Sequence, residues 1–186
     1  MTRRTIRLAV LSAFVALLAT AAVAVASTRH HQRVAHHTPQ STCAVFRVVG
    51  QVADRLRLHV DDLTTYPVHT VDVTFQAGSV TQQHHYVGAL LTDVLATAQP
   101  RFDPTIKNDQ LNFWVSATGS DDYSALVAYG EIDPGFGAKQ VLLAYQEDGN
   151  DLCTAGPRLV VPGDIKGGRY VSNVVKVRVG RASNWG

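Results

Sequence analysis

Two cysteines, Cys43 and Cys153, are the only ones in the chain of 186 residues, and they flank most of the sequence beyond the N-terminal segment. In an oxidising compartment such a pair bridges, which forces the start and the end of the folded region together. Closing a loop of about 110 residues would stabilise the fold by about 4 to 5 kcal/mol in the chain-entropy description. The competing reading makes both thiols metal ligands, and neither lies in a CxxC or CxxxH spacing.

The compartment is read from the N-terminus. MTRRTIRLAVLSAFVALLATAAVAVASTRH has a basic start, an apolar run from Leu8 to Ala26, and the small-residue site Ala24-Val25-Ala26 before Ser27. Residues 1-26 therefore form a signal peptide or, since the run is about 19 residues, an uncleaved membrane anchor. Thr2-Arg3-Arg4-Thr5-Ile6-Arg7 also has the paired arginines of a twin-arginine signal. Both readings place the domain outside the cytoplasm: secreted, periplasmic or in the cell envelope. Contact with a membrane would come only through this segment. Residues 27-42 are polar and hold four of the eight histidines, His30, His31, His36 and His37. They read as a linker, with copper or zinc capture as the alternative.

The remaining chain, 43-182 with a tail at 183-186, suits one domain. The formal charge of +2 includes Arg3, Arg4 and Arg7 of the export segment, so the domain is near neutral and lacks a nucleic-acid footprint. AVFRVVGQV and LRLHV pattern as a hairpin, Asp61-Asp62-Leu63 opens a turn or short helix with Asp as its cap, and VHTVDVTF is the next strand. SVTQQHH is polar and reads as a solvated loop. TDVLATA starts a helix at Thr92 or Asp93 that buries Leu91, Val94, Leu95 and Ala98 and is stopped by Pro100 and Pro104. NFWVSATG, DYSALVAYGEI, QVLLAYQEDG, RLVVPG and NVVKVRVG are strands between Gly, Asp and Pro turns. The fold class is α+β, mixed and mainly β, with few short helices.

The order of the motifs is more specific than any one of them. A Gly-Xaa-Val strand near Val49 to Val52, Asp61-Asp62-Leu63, a strand ending at Phe75, and Tyr86-Val87-Gly88-Ala89-Leu90-Leu91-Thr92-Asp93-Val94-Leu95 come first. Ala117 to Tyr123, Val141 to Tyr145 with Asp148-Gly149, Gly156 to Asp164, and Gly167 to Val171 come after them. This series, over roughly residues 45 to 180, resembles the molybdopterin-binding domain of the sulfite oxidase family. The resemblance implies a mixed, mainly β fold and a pterin whose dithiolene holds molybdenum. It also implies one protein cysteine as a further ligand, two-electron oxygen-atom transfer, and a cytochrome or membrane electron-transfer partner.

The same resemblance puts the ligating cysteine just after the strand, at Gln76 or Ala77, where the chain reads FQAGS. Neither an amide nor a methyl group replaces a thiolate as donor to a soft metal. Unless Cys43 or Cys153 folds back into the site, no protein ligand to molybdenum is present, and catalytic competence is in doubt. Arg158 and the loop Lys166-Gly167-Gly168-Arg169 are the candidates for holding the cofactor's phosphate, because glycines admit backbone N–H groups to an anion and arginine offers a planar fork. The alternative is structural: Gly167-Gly168 makes a turn and Arg169 pairs with Asp164. Tyr123 falls where the family often has Asp-Gly-Tyr near the cofactor, with Asp122 in the glycine's place. A structural role for Asp121-Asp122-Tyr123 is the alternative, Asp capping the turn and Tyr packing.

His84-His85 comes after the ligand position, but neighbours on an extended chain point to opposite sides, which disfavours one ion held by both. Glu131 shows no partner in the sequence, and Tyr129 to Ile132, Tyr145, Phe113 and Trp114 read as core and sheet residues. The sequence supports two functions: an exported molybdopterin-dependent oxidoreductase, or a cofactor-free module that binds a small ligand or a protein on the same fold.

Overall fold

The computed structural model describes residues 41–182. The export segment, the histidine-rich linker up to residue 40 and the tail at 183–186 lie outside the described residues.

Alternating burial builds the first sheet. Strand β1 (Val45–Gly50) sends Phe46 and Val48 into the core, and β2 (Leu56–His59) returns beside it as the expected hairpin. The next turn, Val60–Thr65, is a 3-10 helix. Its cap differs from the expectation: the chain enters at His59, whose N–H donates to Asp62 Oδ2 at 2.7 Å, so Asp62 caps from inside the turn. Strands β5 (Phe113–Gly119), β6 (Ser124–Ala128) and β10 (Val174–Arg181) complete the sheet in the order β2-β1-β10-β5-β6, with β1 and β10 parallel.

The second sheet runs β3-β4-β7-β8, with β9 also paired to β7. Strand β3 (His69–Ala77) turns at Gly78-Ser79 into β4 (Val80–Leu90). Here the sequence reading is corrected: after Ser79 in the turn, VTQQHH is not a loop but the first half of β4, because pairing of Thr81 to Gln76 and of His84 to Val73 satisfies the backbone of an otherwise polar segment. Strand β7 (Leu142–Glu147) lies between β4 and the short β8 (Asn150–Asp151) and β9 (Arg158–Val160). Its Leu142, Leu143 and Ala144 are all buried, so this sheet is covered on both faces, which explains the continuous apolar run.

Helix α1 (Leu91–Ala98) buries Leu91, Val94, Leu95 and Ala98 as its spacing requires and ends at Gln99 in a left-handed conformation. Tyr129–Ile132 corrects another expectation, forming the single helical turn α2 rather than continuing β6, with Glu131 Oε1 accepting the Ala128 N–H. The fold is α+β and mainly β, as read from the sequence.

Leu143 and Leu159 from one sheet meet Phe46, Val115 and Val177 from the other and Leu95 of α1 in the larger core cluster. Leu142, Ala144 and Val160 point the other way, into a smaller cluster with Val73, Phe75, Tyr86 and Tyr170. The Cys43–Cys153 disulfide ties the chain just before β1 in the first sheet to the segment after β8 in the second. Beside it the Ala44 N–H donates to the Cys153 carbonyl at 2.6 Å.

Candidate functional site

The smaller cluster is where the candidate residues converge. Phe75 stacks on Tyr170 with ring centroids 4.2 Å apart and on His84 at 5.7 Å, and His84 leads to Tyr86 at 5.8 Å. On one side the end of β3 meets the loop before Tyr170: the Gln76 N–H donates to the Ile165 carbonyl at 2.9 Å, and Gln76 bridges Lys166 in parallel. Gly167 packs so tightly against Phe75 that a Cβ there would lie 2.7 Å from the ring. A residue with a side chain would displace the ring, so the glycine is required by contact as well as by the turn. Tyr123, just before β6, closes the same loop, its hydroxyl donating to the Gly168 carbonyl at 2.5 Å. Asp122 takes the glycine's place at φ +65°, a left-handed conformation that Asp tolerates, and the Asp121 carboxylate accepts the Tyr123 N–H.

On the other side lies Arg158. Its guanidinium carbon is 5.9 Å from the centre of the Tyr86 ring, and one amino group donates to both Glu147 oxygens at 2.9 and 2.8 Å. The Tyr86 hydroxyl donates to Glu147 Oε1 at 2.8 Å. Burial, and then this bond to a carboxylate, push the Tyr86 phenol well above its ordinary range. Arg158 Nε and the Tyr170 hydroxyl are buried with no hydrogen-bond partner among the described residues. Burial also raises the Tyr170 phenol.

Arg169 spans two carboxylates. Its Nε and a terminal nitrogen bind Asp164 at 2.7 and 2.6 Å, and its other nitrogen reaches Glu131 at 3.2 Å. Lys139 joins at 3.6 Å from Glu131 and 3.9 Å from Asp164. The bond to Asp164, with Glu131 next, holds the guanidinium firmly charged. Glu131, which showed no partner in the sequence, thus has two cationic partners, Arg169 and Lys139. Lys166 is exposed and enters no ion pair among the described residues.

The structure therefore brings Lys166, Gly167, Gly168, Arg169 and Tyr123 to one loop cluster beside Gln76, with Arg158 at the far end of the aromatic row. His84 and His85 sit on β4, not in a loop, with different partners. His85 Nδ1 is 2.7 Å from Asp72, and His84 Nδ1 is 2.7 Å from Asp148 and 3.4 Å from Glu147. The Asp148 carboxyl is held below its ordinary range by the His85 backbone N–H and then by the His84 ring. Glu147 is the site residue that sequence reasoning missed, and a glutamate just before the Asp148-Gly149 turn of a hairpin was the available signal.

The donor set decides the fit of a molybdenum pterin. Gln76 is half-buried, with its amide donating to the Thr81 hydroxyl at 2.7 Å, and Ala77 is exposed with no donor side chain. Both cysteines of the chain are joined to each other. The two arginines face Glu147, Asp164 and Glu131, carboxylates that would repel a phosphate. These residues do not fit the molybdenum-bearing group of the resembled family.

Comparison with known proteins gives a consistent fold. The family model described as oxidoreductase molybdopterin binding domain matches residues 35–184. Among solved structures, the sulfane dehydrogenase SoxCD from Paracoccus pantotrophus aligns with a TM-score of 0.58 at 20% identity, covering 76% of this chain and 39% of that one. The likeness is one of fold, and the chain spans well under half the length of that protein. No curated protein matches the sequence.

Proposed function

The chain belongs to the oxidoreductase molybdopterin-binding domain family, and from that premise we propose that it serves outside the cytoplasm as a non-catalytic member, a module that binds a small ligand or a protein on the family's fold. The observation that carries this reading is the end of β3. Phe75-Gln76-Ala77 arrives at the expected ligand position with an amide and a methyl group, while the thiols of Cys43 and Cys153 are consumed by a disulfide. Oxygen-atom transfer at molybdenum in the resembled family relies on a cysteine thiolate that this chain cannot supply. The apolar export run and the disulfide support an extracytoplasmic location.

One observation favours a second reading, in which a pterin is held without the thiolate and electrons pass to a cytochrome partner. The unpartnered Arg158 Nε and Tyr170 hydroxyl are buried polar groups that a polar ligand would satisfy. The test is elemental analysis for molybdenum, paired with fluorescence of released oxidised pterin, on the chain purified from its own host. The non-catalytic reading expects neither. Both at about one per chain would overturn it and justify redox assays. The variants Gln76→Cys and Ala77→Cys, made with the cofactor machinery present, add a check: molybdenum gained by one of them would show that only the ligand has been lost.

A further inference from the structure

We propose that His84, Glu147 and Asp148 form a divalent metal site of the zinc type on the rim of the aromatic cluster, independent of any pterin. One ligand atom from each of the three lies within 4.8 Å of the others. An imidazole nitrogen and two carboxylate oxygens are a donor set for first-row divalent ions, and three protein ligands leave a position for water. The separation in sequence is closed by the register of β4 on β7, which sets Tyr86 opposite Glu147 and so carries His84 to the turn at Asp148-Gly149.

Each donor is oriented before any ion arrives. Asp148 presents Oδ2 to the His84 ring while its Oδ1 accepts the His85 backbone N–H at 2.8 Å. Glu147 is fixed by the Tyr86 hydroxyl and Arg158. Such supporting bonds set the direction of metal ligands. The Arg158 charge offsets one of the two carboxylates, so the site presents about one net negative charge to a cation. His84 stacks on Phe75 and lies tilted against Tyr86, which limits its ring to few orientations. An open cavity of about 420 Å³ borders two of the three donors, His84 and Asp148, and does not reach Glu147. His85 is not a ligand, because its ring turns to Asp72.

To exclude the imidazoles of the linker as a second source of ligands, the test starts from the full chain with His30, His31, His36 and His37 changed to alanine and treated with chelator. Calorimetric titration with zinc chloride is expected to show one equivalent bound. Asp148→Asn is the decisive variant: residue 148 has φ +52°, which Asn adopts readily, so folding is retained. Asp148→Asn and His84→Ala should each weaken binding by about 100-fold or more, since loss of a supporting bond alone costs about 10- to 100-fold. His85→Ala should stay within a few-fold of the parent. No binding by the linker variant, unchanged affinity in Asp148→Asn, or loss of binding in His85→Ala would each overturn the site.

Discussion

Asp109 shows how one carboxylate holds together segments that no sequence pattern connects. It is buried at 2% exposure, its Oδ2 accepting the Asp103 N–H at 2.8 Å and its Oδ1 meeting Arg181 of β10 and the Asn112 amide. The Asp103 N–H first, then Arg181 and Asn112, hold the carboxyl below its ordinary range. A group whose pKa is lower folded than unfolded binds its proton more readily in the unfolded chain. Its stabilisation is full above the unfolded value of about 3.9 and is lost as pH falls through the lower, folded value. Asp109→Asn keeps an acceptor for Asp103 but gives up the charge. The thermal midpoint of the variant should lie below that of the parent at pH 7, and the gap should close as the pH is lowered toward 3. A gap of constant size across this range would show that the charge of Asp109 contributes nothing to the fold.

At the scale of elements, helix α1 is the piece whose sequence and packing agree most fully. Leu91, Val94, Leu95 and Ala98 recur at helical spacing, and all four are buried. Leu95 is fully enclosed in the larger cluster, so Leu95→Ala should cost about 2 to 5 kcal/mol, read by denaturant unfolding. A loss under about 1 kcal/mol would mean that the helix shifts to fill the space. The same logic separates what the sequence disclosed from what it hid. Strands β1, β3, β5, β7 and β10 carry apolar residues that announce them. Strand β4 does not, because Thr81, Gln83 and His85 face outward while Gln82 and His84 are only half-buried, so polar residues occupy both faces. At the site, the pairing of Arg169 with Asp164 was legible at five residues' distance. Its second partner Glu131, 38 residues away, was not. The approach of His84 to Asp148 depends on strand register, which a single sequence does not state.

For the whole molecule, the disulfide is the feature that joins the two sheets near one edge. Cys43 precedes β1 and Cys153 lies just past β8, 110 residues apart in sequence. Around the bridge, the Cys43 carbonyl meets the His59 ring at 3.0 Å and the Cys153 N–H donates to Asp151. The two strands it flanks belong to different sheets, and their relative position rests on packing of the larger core, on this covalent link and on the Ala44 N–H bond to the Cys153 carbonyl beside it. Removing the link returns a long-loop freedom to the unfolded chain while the native contacts remain, so the expected loss is about 2 to 5 kcal/mol. The double variant Cys43→Ser/Cys153→Ser, compared with the oxidised parent by denaturant unfolding, should lose stability in that range with its far-ultraviolet spectrum retained. The parent should fall toward the same midpoint when reduced. Agreement between the reduced parent and the double variant would assign the loss to the bridge itself. Equal midpoints for the oxidised parent and the variant would show that the sheets are held by their packing alone.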